Sequence, residues 1–340
     1  MTTTTSADQL NRVAIAELAT RPDPAGWHAT LRTLGTHARD DQWIVSTPPD
    51  VAAALTARGL RVIPPASGAG PAADLVARMA RFCDGEAHQR RRALTVTLLP
   101  GPAETAGRAR DCAAHYLRER APTDELDVMP LARTIPAQAL GLAMGLREPE
   151  AASAADITGR LCDALSSART RAADEAAIQL CAALRPLRLS DADEVAAAAS
   201  ILFQARDATA ALIGAAVLAA GRAESGHLQT AVRVDSVLRR QAPVQCTRRV
   251  AAADTTIGAA VIPRGSEVWI FQAAAELGNG RPATFGTGPH GCPAADRATA
   301  IARSVVSVLD EDGWRPVSGQ QVDFERRPNL RLPRRVLVSR

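Results

Sequence analysis

The apolar positions of this chain fall mostly at helical spacing. From about residue 73 to 230 the pattern is helical throughout, in Ala-, Leu- and Arg-rich stretches that favour helix by propensity. Breaks are predicted at Pro100–Pro102, Pro122, Pro136 and Pro186. Ahead of this region, Pro22 to Gly35 reads as a short amphipathic helix carrying Trp27 and Leu31. Trp43–Ser46 reads as a strand, and Pro48 and Pro49 open a helix stopped by Gly59. A Pro/Gly loop covers residues 64–72. Behind the helical region comes a compact β region, CTRRVAAAD, TTIGAAVIPRG and SEVWIFQAAA, with turns at Gly258 and Pro263-Arg264-Gly265. A Gly-rich loop from Gly278 leads to one more helix at residues 293–311, and the end, VDFERRPNLRLPRRVLVSR, reads as short strands. Residues 1–12 are Thr/Ser-rich and expected to be loose. The predicted class is mainly α with a small β region.

One helix stands out. It is predicted to start at Ser190, with Asp193 completing an approximate capping box, and to run to about Gly221, roughly 30 residues or about 45 Å. Beyond its first turn it is almost entirely apolar except for Gln204, Arg206 and Asp207 at its centre. A membrane span and a buried central helix share this pattern. An adjacent Arg-Asp pair at mid-depth is costly in lipid, and no second span exists, so the buried helix is the better reading. Its central charges must then face a cavity, a partner or water.

Composition narrows the chemistry. The chain has 340 residues, enough for one large or two ordinary domains, and 46% hydrophobic with 22% charged residues marks a globular protein able to bury a core. A net charge of +4 is too small to argue for nucleic acid. All 40 basic residues are Arg, which GC-rich coding explains, and the absence of Lys excludes Schiff-base, P-loop and kinase-type lysine chemistry. The six Cys (83, 112, 162, 181, 246 and 292) form no CxxC pair and no zinc spacing. The first residues lack an apolar signal-peptide core, which predicts a cytoplasmic protein that contacts no membrane. His28, His37, His115 and His227 are isolated and read as surface or satisfied structure. Cys83 reads as core packing, although it lies close before His88. No nucleophile elbow, dinucleotide fingerprint or nucleotide loop is present.

Two segments carry candidate chemistry. Residues 285–294 read FGTGPHGCPA. Gly286, Gly288 and Gly291 permit backbone angles or close approaches that side chains forbid, and Cys292 precedes a helix predicted to begin near Pro293. A thiol at a helix N-terminus is readily held as thiolate, and one thiolate suffices as the axial ligand of a haem. A Gly-rich loop with an incidental Cys has the same composition. Residues 84–92 read DGEAHQRRR, which puts His88 and Arg92 four apart on one helix face. That face suits a carboxylate ligand, or is simply a solvated basic face.

Together these segments resemble the cytochrome P450 family. FGTGPHGC resembles its haem-binding loop, Phe-Gly-x-Gly-x-His/Arg-x-Cys-x-Gly, at Phe285, Gly286, Gly288, His290 and Cys292, with Ala294 replacing the last Gly. The resemblance implies haem b, with Cys292 as axial thiolate on the iron, Phe285 packing near it and His290 reaching a propionate. His88 and Arg92 match the family's propionate-holding helix, with Asp84 and Gly85 ahead of them, and Arg249 in CTRRVAAAD matches its strand arginine. QARDATAALIG resembles the central helix. Asp207 then falls on its acid and Ala208 on the Thr that helps deliver protons in oxygen activation. Thr209 comes one position late, about 100° round the helix, and could substitute only if the helix were locally distorted. Asp207, Ala208, Thr209 and Gln204 are the implied distal residues.

The pattern fails elsewhere. Arg239 falls on the Arg of the family's Glu-x-x-Arg helix, but Ser236 falls on the Glu, and Asp235 is adjacent. Most of the meander that would pair with them is missing before Phe285, and Arg281 is the one residue placed to occupy part of that space. The resemblance thus implies a shortened, atypical P450-like fold, with residues 13–340 as one haem-binding domain. The implied function is oxidation of a small-molecule secondary metabolite, with electrons from a ferredoxin and its reductase if dioxygen is used. Two alternatives remain open. One is peroxide-driven or non-oxygenase haem chemistry (rearrangement, dehydration, N–O or N–N chemistry). The other is a non-catalytic relative that assists another biosynthetic enzyme.

Overall fold

The computed structural model describes residues 15–21, 24–63, 68–119, 124–221, 228–275 and 283–340. The expectations for residues 1–12, Pro22, Pro122, His227, Gly278 and Arg281 lie outside these. In chain order the elements are α1 (Pro24–Leu34), β1 (His37–Arg39), β2 (Gln42–Val45), α2 (Pro48–Thr56), β3 (Leu60–Val62), α3 (Pro71–Ala77), α4 (Gly85–Leu98) and α5 (Pro102–Arg118). There follow β4 (Glu125–Asp127), α6 (Val128–Ala143), α7 (Glu148–Ser166), α8 (Thr170–Ala183), α9 (Ala192–Ala220) and α10 (Thr230–Arg240). The chain ends with β5 (Thr247–Ala251), β6 (Thr255–Ile257), β7 (Ala260–Ile262), β8 (Glu267–Ile270), α11 (Ala295–Glu311), β9 (Arg315–Pro316) and β10 (Leu337–Ser339). The class is mainly α with a small sheet region, as the helical spacing predicts.

The elements group into two compact units. Unit 1 takes in the described chain up to Ile63, Val232–Cys292 and Gln321–Arg334. Its five-stranded sheet has the order β1-β2-β8-β5-β3. β2 runs parallel to β8, with Val45 opposite Ile270, and the other pairings are antiparallel. One face buries Val45, Val51, Leu55, Ala251, Val268, Ile270 and Ala283 in a common cluster. A second cluster gathers Leu18, Trp27, Leu31, Ile44, Trp269 and Phe271. The predicted turns are present: Gly258 (φ +58°) turns β6 into β7, where a Cβ would stand 2.5 Å from an Asp50 carboxylate oxygen.

Unit 2 takes in Pro64–Ala231, Pro293–Gln320 and Arg335–Arg340. Its centre is α9, 29 residues long, which packs against α4, α6, α7 and α11. By length and apolarity α9 is the one described helix that could cross a membrane, with mean hydropathy 1.4. It is instead the core helix of the unit, with Ala196–Leu202 and Thr209–Gly214 buried. Its start differs from expectation. Asp191, not Ser190, is the N-cap: its Oδ1 accepts from the amides of Asp193 (2.8 Å) and Glu194 (2.9 Å). The Glu194 carboxylate reaches back to the Ser190 amide at 2.7 Å. The capping pair is therefore the one displaced by a single residue from Ser190/Asp193.

Pro136 does not break its helix. It lies buried inside α6, whose buried positions also include Met129, Leu131, Ile135 and Leu140. A proline inside a helix costs about 3 kcal/mol, and burying several large apolar side chains at about 1.5–3 kcal/mol each outweighs it. Of the short strands expected at the C-terminal end, β10 forms and pairs antiparallel with β4 and β9, whereas Phe324, Leu330 and Pro333 make isolated bridges.

Candidate functional site

The glycine-rich loop is a closed structure in unit 1. A 3-10 turn at Ala283–Phe285 opens it, and the Cys292 amide closes it by donating to the Phe285 carbonyl at 2.7 Å. Inside, the Gly286 amide donates to Ala283 O (2.8 Å) and the Gly291 amide to Gly288 O (3.1 Å). Gly286 and Gly288 are left-handed (φ +67° and +69°), a conformation that costs other residues about 1–2 kcal/mol. At Gly288 the reason for glycine is also spatial. A Cβ there would lie 2.9 Å from Thr56 Cγ2 and 3.1 Å from Leu55 O, so the loop rests on the end of α2. Phe285 and His290 are half-buried, whereas Cys292 is the exposed one among the six free cysteines. The helix predicted near Pro293 begins two residues later, at Ala295.

Arg249 stands on β5, next to β8, and its strand shares an apolar cluster with Ala283 of the loop's opening turn. Its guanidinium is buried and donates to Thr247 Oγ1 (2.8 Å) and Arg248 O (2.7 Å). β5 is anchored from Gln245, whose amide donates to Asn329 O and whose carbonyl accepts from the Ala273 amide. The buried side chain of Gln245 meets His28 Nε2 at 2.9 Å. Burial pushes the His28 imidazole down from 6.5 to about 3, against the opposing Gln245 hydrogen bond and with Arg32 and Arg331 lowering it further. His28 is thus satisfied structure, as its isolation in sequence suggested.

In unit 2, Asp84 is the N-cap residue of α4 and Gly85 (φ +65°) turns into it. His88 is buried and Arg92 half-buried on that helix, which packs against α9. Cys83 is half-buried, its thiol nearest the carbonyls of Ala80 and Met79.

The centre of α9 is where the long apolar helix becomes accessible. Gln204 is exposed, and Phe203, Asp207 and Ala208 are half-buried between fully buried stretches. Gln204 Nε2 donates to Ser200 Oγ at 2.6 Å. The charges have a partner that sequence spacing does not reveal. The buried Arg206 guanidinium lies 2.8 Å from Asp207 Oδ1 and 3.2 Å from Asp163 Oδ1 on α7, the latter carboxylate half-exposed. Burial disfavours the Arg206 charge, yet Asp207, Cys162 and Asp163 together hold its pKa above the ordinary value. Gly159 leaves room beneath this guanidinium. Helix α9 is unbroken from Ala192 to Ala220, and Thr209 is buried in its packed face, so Thr209 does not take the direction of Ala208.

At the position of the missing carboxylate, Ser236 is half-buried on α10, with Asp235 half-buried beside it and Arg239 exposed. Among the described residues no three or more His, Cys, Asp or Glu gather as a metal cluster. The donor that remains for a metal-containing group is a single accessible thiol, which fits axial thiolate ligation.

No protein-family model and no curated protein matches the sequence. Solved structures do match. P450BioI, in a complex with an acyl carrier protein ligated to hexadec-9Z-enoic acid, superposes with a TM-score of 0.78 at 17% identity, covering 96% of this chain and 100% of that one. Substrate-free CYP109E1 from Bacillus megaterium gives 0.79 at 15% identity over 93% and 98% of the chains. The Tepidiphilus thermophilus P450 heme domain gives 0.77 at 14% identity over 97% and 96%. The polypeptide therefore has the cytochrome P450 fold.

Proposed function

We propose that this chain is a haem-thiolate oxidative enzyme acting on a small molecule of secondary metabolism. The observation that carries the reading is the loop 285–292. It has left-handed Gly286 and Gly288, a backbone closure from Cys292 to Phe285 and an accessible Cys292 thiol, on a P450 fold. Haem b would be held by Cys292 on its iron and by His88, Arg92, Arg249 and His290 at its propionates, with Phe285 against the ring. When bound, such a group supplies one- and two-electron oxidation chemistry. The chain's own part is to orient and shield. α9 would present Gln204, Asp207 and Ala208 on the distal side, with Thr209 turned into its packed face, and its apolar flanks would exclude water.

The reduced-CO difference spectrum tests the assignment. The purified chain should show the red-shifted Soret band of thiolate ligation, and Cys292→Ala should remove it. An unaltered spectrum in that variant, or a chain that takes up no hemin, would sink the reading.

A specific observation favours peroxide-driven or non-oxygenase chemistry as the variant of this activity. The distal Thr position is Ala208, the hydroxyl of Thr209 is buried elsewhere, and the Asp207 carboxylate is engaged by Arg206. A site without a free hydroxyl–carboxylate relay suits an oxidant that already carries its protons. Hydrogen peroxide should then support turnover without reductase. Turnover that needs NAD(P)H, a ferredoxin, its reductase and dioxygen would remove this variant. The third alternative, a non-catalytic assistant of another enzyme, gains no support from the loop, because a scaffold has no use for an accessible thiol in a built cradle.

A further inference from the structure

The loop that carries Cys292 has a hollow between its two arms. The first arm runs from the turn Ala283–Phe285 into Gly286, and the second is His290–Cys292. The bond from the Cys292 amide to the Phe285 carbonyl (2.7 Å) ties them together. One residue inside that tie, Gly286 and Gly291 lie across from each other without side chains. A Cβ on Gly286 would stand 3.7 Å from Gly291 Cα and 4.0 Å from His290 O. Its nearest neighbour would belong to neither arm: it would be Gln272 Nε2, at 3.0 Å. The end of the Gln272 side chain thus stands at the hollow, against the first arm and facing the space that the second arm borders.

Gln272 is itself fixed. It is only 6% exposed and opens the 3-10 turn Gln272–Ala274, which follows β8 in the same unit. The Ala273 amide donates to the Gln245 carbonyl at 3.0 Å, and the Ala274 carbonyl accepts from Arg32 at 3.0 Å. The opening turn of the loop hangs from the neighbouring residue, since Thr284 Oγ1 donates to Val244 O at 3.2 Å. Gln272 and the first arm therefore share one anchor, Val244–Gln245. The second arm, which ends in Cys292, joins that frame through the Cys292–Phe285 bond. Empty space beside such a bond would let the arms shift, whereas a filled space keeps them where they are. Peptide groups border the hollow, His290 O among them. A neutral amide suits it better than a carboxylate, whose charge would lie near that oxygen.

We propose that Gln272 is a positioning residue for Cys292: its buried side chain fills the hollow of the loop and so holds the second arm, and the thiol it presents, in the closed form. That this thiol serves a haem iron rests on the proposed function; the bracing of the loop does not.

The test is amide hydrogen exchange of the full chain, haem-free and haem-loaded, resolved at Cys292. The reference is the Ala251 amide, which donates to Ser266 O at 3.0 Å in the same unit and outside the loop. Gln272→Ala should speed exchange at Cys292 about tenfold relative to Ala251. Gln272→Met, neutral and of equal length, should restore most of the protection, whereas Gln272→Glu should not. In the hemin-loaded protein the reduced-CO spectrum should follow the same order. The red-shifted thiolate band should persist in Gln272→Met and be partly lost in Gln272→Ala and Gln272→Glu. The proposal is overturned if Gln272→Ala leaves both the exchange at Cys292 and the band unaltered. It is overturned if exchange rises equally at Ala251, which is general loosening, or if Gln272→Met behaves like Gln272→Ala, because filling is then not what the residue does. Variants that keep the loop protected but bind hemin less well relative to its dimethyl ester would also overturn it, since the amide then serves a porphyrin carboxylate. A chain that takes up no hemin yet shows the exchange pattern would refute the haem assignment and leave the brace standing.

Discussion

Acid should unfold this protein through His28. The imidazole is buried beside Trp27, with ring centres 3.9 Å apart, and its Nε2 meets Gln245 Oε1 at 2.9 Å. The Gln245 Nε2 donates to Ala242 O, which leaves Oε1 facing the ring, so the neutral His28 donates from Nε2. Burial holds its pKa at about 3 against an ordinary 6.5. The folded state therefore binds the proton less well than the unfolded chain. The stability is fully present above pH 6.5 and is lost as pH falls toward about 3. Each pH unit crossed in that window removes about 1.4 kcal/mol, so the descent from 6.5 to about pH 5 costs about 2 kcal/mol.

The assay is urea unfolding followed by tryptophan fluorescence at about pH 7 and about pH 5, for the wild type and His28→Gln, which can still donate to Gln245. The variant starts less stable because it loses ring packing against Trp27. Its pH dependence should be shallower than that of the wild type by about 2 kcal/mol over the same interval. Subtracting the two profiles cancels every carboxylate that titrates in both. Parallel profiles would show that His28 either stays hydrated or gains a proton without cost, and the interior described here for unit 1 would be wrong.

Two further substitutions probe the frame of the site. Gly288→Ala combines a left-handed φ of +69° with contacts of 2.9 and 3.1 Å to the end of α2, whereas Gly313→Ala meets the strain (φ +84°) in open space. The first should lower the melting temperature more than the second and reduce hemin uptake; equal melting shifts would contradict the close seating of the loop. Asp191→Ala deprives two amides at the start of α9 of their acceptor and should cost about 1 kcal/mol in urea unfolding, with Asp191→Asn largely restoring it.

Local features were the legible ones. Helix class follows from propensity summed over long Ala/Leu/Arg windows, and Gly286 and Gly288, read as positions whose backbone angles or close approaches forbid a side chain, are left-handed. The α9 cap lies one residue beyond the predicted one because Ser190/Asp193 and Asp191/Glu194 are nested alternatives. The extended Asp191 (φ −147°, ψ 178°) places its short carboxylate under two amides, while the longer Glu194 side chain reaches back. The break predicted at Pro136 does not form because local rules carry no term for the burial that holds α6 together. The remaining misses are contacts between distant residues. Asp163 and Arg206 belong to separate helices, and His28 finds Gln245 across 217 positions. The parallel pairing of β2 with β8 joins segments far apart in the chain. Hydrophobic period and capping chemistry hold no information about such partners.

The departures from the family pattern combine into one physical account of α9. A helix with Ala at the Thr position and Thr one step later could keep its hydroxyl in play only by a bulge that rotates the later residue by about 100°. The helix is continuous through both positions, and Thr209 sits in the packed face. Recovering that hydroxyl would require breaking the helical ladder in the core of unit 2. The acid is constrained as well. Asp207 shares Arg206 with Asp163, and the guanidinium is buried, so swinging the Asp207 carboxylate away leaves a buried cation with only the half-exposed Asp163 as counter-charge. The relay role proposed for Asp207 would need a low barrier to reorientation, and its carboxylate is held by a charge-assisted contact of 2.8 Å. Ala208 and the Arg206–Asp207 contact thus point the same way: the middle of α9 is built as a fixed wall rather than as a moving proton donor. A fixed wall suits chemistry whose protons arrive with the oxidant or the substrate.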